Sequence, residues 1–252
     1  MDHAMKIAPL LIAAGVLAAA PAFAQANTDP ARDPAKTEVW TPVPATVATP
    51  PGKAPSDAIV LFDGKDASAW ESEQGGRVPW TVADGAMTIV PGSKGIRTKQ
   101  RFCDIQLHVE WRTPVETKGF DGQNRGNSGI FLQELYELQV LDSYNNPTYA
   151  NGQAGSIYKQ AMPLVNASRA PGQWQAYDIL WKAPRFSSGG GLISPARITV
   201  LHNGVLVQDD TVLAGRTEYI GPPSYSPHAC APIHLQEHDA KVSYRNIWVR
   251  EL

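Results

Sequence analysis

The feature that most constrains this chain is a succession of short alternating segments, each stopped by a turn signal, with no stretch that holds a helical apolar period for three turns. AIVLF at 58–62 precedes Asp63-Gly64, WTV at 80–82 precedes Asp84-Gly85, and AMTIV at 86–90 precedes Pro91-Gly92. The pattern continues through CDIQLHVEW (103–111), GIFL (129–132), YELQVL (136–141), WQAYDILWK (174–182), PIHLQEH (232–238) and 242–250. RITVLH (197–202) and VLVQ (205–208), joined by Asn203-Gly204, read as a hairpin, as do the runs on either side of Asp84-Gly85. Alternation gives each strand one buried face. Many such strands without helices bury their apolar residues by packing sheet on sheet or by closing a barrel. The expected class is therefore all-β, with Trp111 and Trp248, which alternate with polar neighbours, in the core.

What precedes these strands reads differently. Lys6, an apolar run at 7–20 and Ala22-Phe23-Ala24 make the three parts of a secretory signal peptide, residues 1–24, with cleavage near Ala24-Gln25. The expectation is a periplasmic or secreted protein. Residues 25–56 carry seven prolines (30, 34, 42, 44, 50, 51 and 55) and little apolar periodicity, so they form an extended segment, with Val39 and Trp40 as an anchor. The folded domain is placed at 57–252. No later run is long enough to span a membrane. A net charge of −2 leaves no electrostatic footprint for nucleic acid or an anionic membrane. Cys103 and Cys230 allow one disulfide in an oxidising compartment, but the sequence leaves open whether they meet.

Two polar rows stand out. In YELQVLDSYNN (136–146), Glu137 and Gln139 share the face opposite Leu138 and Val140, and a one-residue bulge would bring Asp142 onto that face. Two carboxyl groups about 5 Å apart can serve as nucleophile and acid/base in retaining glycoside hydrolysis. The spacing resembles the bulged-strand motif of laminarinase-like glycosidases, except that Gln139 and Asp142 replace its middle Asp and last Glu. By spacing alone, an ordinary solvated strand face is the default reading. In PIHLQEH (232–238), His234, Gln236 and His238 point away from Ile233 and Leu235. Imidazole suits proton transfer near neutral pH or metal ligation. His234 and His238 stand too far apart along a strand to chelate one ion together. A third candidate is Arg125-Gly126-Asn127-Ser128-Gly129, where glycines let backbone approach a ligand and Arg125 offers a charged grip.

The succession LFDGKDASAW, IRTKQRF, LHVEWRTP, RGNSGIFL, YELQVLDSYNN, NGQAGSIYKQ, PGQWQAYDILWKAPRF, ARITVLHNGVLVQ and YRNIWVREL resembles the 3-keto-disaccharide hydrolase domain family over nearly all of 57–252. The resemblance implies a concanavalin A-like jelly-roll sandwich of two antiparallel sheets with a ligand cleft on its concave face. It implies cleavage of 3-keto-glycosides, by hydrolysis or by abstraction of the C2 proton and elimination, with a small carbohydrate as partner and a divalent metal as possible helper. On that reading Glu137, Asp142 and His238 are catalytic. Arg125, Asn127, Gln139, Lys159 and Gln236 are substrate anchors, and His234 is a metal ligand. Leu-Gln-Asp-His-Gly is expected where this chain has Leu235-Gln236-Glu237-His238-Asp239, so the turn after His238 departs from the pattern. A non-catalytic carbohydrate-binding jelly roll is the alternative.

Overall fold

In a computed structural model, the structure describes residues 33–252, so the signal-peptide expectation lies outside the described residues. Contacts divide the chain at Thr46. Of the first unit, residues 33–46 form a 3-10 turn at Pro34–Thr37, capped by Asp33, and then extended chain. Val39 and Trp40, expected to anchor the segment, are exposed.

The second unit, Val47–Leu252, is a sandwich of two antiparallel sheets. Its strands are β1 Ile59–Phe62, β2 Trp70–Ser72, β3 Thr81–Ala83, β4 Ala86–Thr88, β5 Ile96–Thr98, β6 Ile105–Arg112, β7 Ser128–Leu132 and β8 Tyr136–Val140, followed by β9 Gln175–Lys182, β10 Arg185–Phe186, β11 Leu192–Ser194, β12 Arg197–His202, β13 Val205–Val212, β14 His234–Leu235 and β15 Ser243–Glu251. The larger sheet runs β13-β12-β9-β6-β15-β4-β3, with β1 also on β15; the smaller runs β2-β5-β14-β7-β8; β10 and β11 pair separately. The all-β class expected from the strand pattern, and the jelly-roll sandwich that the family resemblance implies, are what the chain forms.

The alternation places the core. Ile105, Leu107, Val109 and Trp111 of β6 point inward and are buried, while Gln106, His108, Glu110 and Arg112 point outward. From the smaller sheet, Ile96, Leu235, Ile130 and Leu138 lie side by side in register across four strands, each fully buried. Such cross-strand apolar pairs are the unit of sheet stability, and both sets join one core. Trp111 belongs to it. Trp248 is buried outside it, stacked at 5.2 Å on His108 of the outer face, because a bulge in β15 between Arg245 and Trp248 shifts the alternation. Cys103 and Cys230 form a disulfide with Cα atoms 4.7 Å apart, next to the Phe102–Ala231 bridge.

Candidate active site

The register that aligns the core row fixes what lies on the other face. Arg97, His234, Phe131 and Glu137 pair across β5, β14, β7 and β8. In the neighbouring row Gly129 pairs with Gln139, and the Gln236 backbone N–H donates to the Gly129 carbonyl at 2.9 Å. Gly129 leaves the middle of that row open, and the Glu137 carboxyl leans over it. A Cβ at position 129 would lie 2.7 Å from Glu137 Oε1.

β8 ends its sheet, and an edge strand exposes unpaired backbone groups unless something covers them. Here two loops do. Glu137 N donates to Thr217 Oγ1 at 2.9 Å and the Glu137 carbonyl accepts from Tyr158 N. Gln139 N donates to the Ser156 carbonyl and its own carbonyl accepts from Gly155 N. Every residue of β8 is consequently buried, polar ones included. The loops wall a cleft of about 320 Å³, with Tyr158, Thr217 and Tyr219 on one side and Phe131, Gln236 and His238 on the other. Glu137, Gln139 and Asn127 complete its lining.

Glu137 is 5% exposed. No hydrogen bond or ion pair within the described residues reaches its carboxyl, and burial alone pushes it up to about 8. Desolvation penalises the charged form, and no cation lines the cleft beside it to offset that cost. At neutral pH Glu137 therefore holds its proton most of the time. Gln139, buried beside it, donates Nε2 to Asn127 Oδ1 at 2.9 Å. His238 is exposed at the mouth.

Other residues singled out in the sequence stand elsewhere. β8 stops at Val140, and the expected bulge does not carry Asp142 into the cleft lining. Asp142 is buried against Arg125, Nε to Oδ2 2.9 Å, and accepts from Tyr144 N at 3.1 Å. Burial raises its carboxyl and Arg125 partly offsets this. Arg125 and Asp142 thus engage each other, outside the cleft lining. Lys159 also lies outside the lining; its Nζ donates to the Tyr219 carbonyl at 2.6 Å and sits 4.1 Å from the Tyr219 ring, so it holds the wall. His234 turns over Gly95 to meet Glu73 at 3.0 Å, and burial lowers its pKa despite that carboxylate. Among the described residues no group of three or more His, Cys, Asp or Glu is arranged to hold a metal. The donor set around His234, one imidazole and one carboxylate, does not fit the metal expected there.

Thr217 and Tyr219 escaped the sequence reading. They sit in the irregular stretch 213–231, whose length was their only signal.

The family model described as the 3-keto-α-glucoside-1,2-lyase-like domain matches residues 57–250. The chain belongs to this family. A crystal structure from Parabacteroides distasonis ATCC 8503, of a protein that carries a provisional glycosyl hydrolase name, shares 51% identity over 87% of this chain and 97% of its own, with a TM-score of 0.85. A second protein from that organism, similarly named, shares 20% identity over 78% of this chain and 94% of its own at a TM-score of 0.55, a likeness of fold alone. No curated protein matches the chain. In this member of the lyase-like family, the cleft over β7, β8 and β14 is where the free acid, the imidazole and the amides converge.

Proposed function

We propose that the chain is an exported carbohydrate-active enzyme that cleaves 3-keto-glycosides by elimination. The observation that carries this is the Glu137 carboxyl, buried, unpartnered and pushed up to about 8, in one cleft with His238. The ketone at C3 acidifies the C2 hydrogen. His238 takes that proton while Glu137, as a neutral acid, donates a hydrogen bond to the ketone oxygen and holds the negative charge that develops there. A carboxyl kept neutral by its surroundings so that it can donate is an established device for enolates. The electron pair from C2–H forms the C1–C2 double bond, the C1–O bond breaks, and the leaving oxygen takes the proton from His238. Water then adds to the unsaturated ketone.

Glu137 is the one carboxyl lining the cleft, whereas retaining hydrolysis uses two. That favours elimination over direct hydrolysis. The family name and the hydrolase name of the relative at 51% identity support a glycoside substrate. The disulfide supports the oxidising compartment that the N-terminal stretch implies.

The test is methyl 3-keto-α-glucoside with purified mature chain in deuterated water, followed by NMR, with and without EDTA. Methanol release with deuterium entering C2, declining as pH rises through about 8, is the expected result. Release without C2 exchange means direct hydrolysis. Binding without release leaves a carbohydrate-binding module. Loss of turnover in EDTA would mean that a divalent ion, recruited by fewer protein donors than a closed site, shares the work.

A further inference from the structure

Gln139 is 1% exposed on the floor of the cleft, and its amide is only half used. Nε2 donates to Asn127 Oδ1 at 2.9 Å and approaches the Val140 carbonyl at 3.4 Å. Oε1 is buried without a partner. The amide is not free to turn over. Asn127 Nδ2 donates to the Gln123 carbonyl at 2.8 Å, and a backbone carbonyl only accepts. Asn127 must therefore turn its oxygen toward Gln139, which must answer with nitrogen. Inverting Gln139 would set its oxygen against both Asn127 Oδ1 and the Val140 carbonyl. Gln236 has a buried, unpartnered Oε1 too, but nothing fixes which way its amide faces.

A buried acceptor left unpaired is costly, so a group that fills it gains that cost back. The filler must be a donor. Two residues along the same strand face stands the Glu137 carboxyl, itself unpartnered. One position offers a proton and its neighbour offers only a lone pair.

We propose that Glu137 and Gln139 together read an α-hydroxy-ketone, the carbonyl oxygen at Glu137 and the adjacent hydroxyl at Gln139, and that Asn127 is the positioning residue that locks Gln139 as the acceptor. This rests on the reading of the cleft as a 3-keto-glycoside site and adds the orientation of the sugar within it. The ketone cannot sit against Gln139, where two oxygens would meet. A hydroxyl on one carbon next to the ketone, C2 or C4, takes that place.

The experiment is calorimetric binding to the His238→Ala chain, which cannot take the C2 proton. The ligands are methyl 3-keto-α-glucoside and its 2-deoxy and 4-deoxy analogues. One deoxy analogue should bind about tenfold to a hundredfold more weakly than the parent. Adding Gln139→Leu or Asn127→Ala should erase that difference by weakening the parent alone. Thermal unfolding of each variant confirms the fold, and a merely structural role for Asn127 would weaken all three ligands alike. A parent that binds with no loss for either analogue, or a loss that persists in both variants, overturns the inference and leaves the proposed function standing. A loss that behaves as expected, beside a wild type that releases no methanol, keeps the inference and overturns the chemistry. No binding of any of the three overturns both.

Discussion

Glu137 and Glu110 stand mid-strand on the outer faces of the two sheets, and their surroundings drive them in opposite directions. Glu110 of β6 faces the His108 imidazole at 3.8 Å, accepts from Asn246 at 2.8 Å and pairs with Arg245 at 2.6 Å; these partners, His108 first, hold it at about 2. His108 is in turn held up at about 9, because Asp178, 2.6 Å from Nδ1, and Glu110 outweigh the cost of its burial. Glu137 has burial and no partner, and rises to about 8. The same residue type becomes a fixed anion in one place and a proton-bearing acid in the other. Partners build structure; a buried group without any is poised for a ligand.

The largest expected effect separates the two glutamates by activity. Glu137→Leu, which removes the hydrogen-bond donor to the ketone oxygen, should lower turnover by about 10²–10³, the range for losing one oxyanion donor, without loss of fold. Glu110→Gln should leave turnover within about threefold. If both variants lose activity equally, the larger sheet's cluster is part of the machinery and the contrast fails.

Asp142 supplies an intermediate case, buried like Glu137 but paired like Glu110. Arg125→Met leaves its carboxyl with only the Tyr144 N–H, and removing the charged partner of a buried pair costs about 3–5 kcal/mol. Denaturant midpoints should show this loss at neutral pH. A loss much smaller than that would mean that Asp142 takes up a proton readily, as Glu137 does.

How far the contrast was legible follows from the same residues. Period-two alternation was enough to find β6, β7 and β8 and to set Glu137 and Gln139 on the face opposite Leu138. β2 and β5, three residues each, are too short to alternate visibly, and with β14 they make up the rest of that sheet. Asp142 was misplaced because sequence does not show where pairing stops. His234 was rightly read as facing away from Ile233 and Leu235, but its partner Glu73, which takes the place of a metal, lies 161 residues away along the chain. The charged cluster around Glu110 draws on three strands, and Thr217 matters only because β8 proves to be an edge. Local pattern carried the strand faces; neighbours from distant segments decided which acid is free.

Titration of stability sharpens the contrast next. A carboxyl whose folded pKa exceeds its unfolded value holds its proton more tightly when folded. Glu137 is neutral in effect below its ordinary value of 4.5; as pH rises toward 8 only the unfolded chain gains by ionising. The wild type should lose stability across that window by on the order of 1.4 kcal/mol per unit at most, levelling above it. Glu137→Gln removes this slope. Urea midpoints at pH 4.5, 6.5 and 8 should show the variant drawing ahead of the wild type as pH rises, and parallel curves would mean that Glu137 ionises freely.

Glu110→Gln should give the smallest effect and the opposite sign. A carboxyl held near 2 contributes stability that is present above 4.5 and is lost as pH falls through that interval. Its charge-assisted bonds at 2.6 and 2.8 Å lie near the sheet surface, where solvent screens them, so the wild-type advantage should be about 1 kcal/mol at pH 7. It should shrink in strong salt and narrow by pH 3.5, with His108 still charged at both pH values. Urea midpoints of the two chains at pH 7 and 3.5, each with and without 1 M salt, measure this directly. An advantage that ignored both acid and salt would assign the cluster's contribution to packing, His108 on Trp248 and Arg245 over the Trp174 ring at 4.1 Å, rather than to charge, and Glu110 would no longer be the paired counterpart of Glu137.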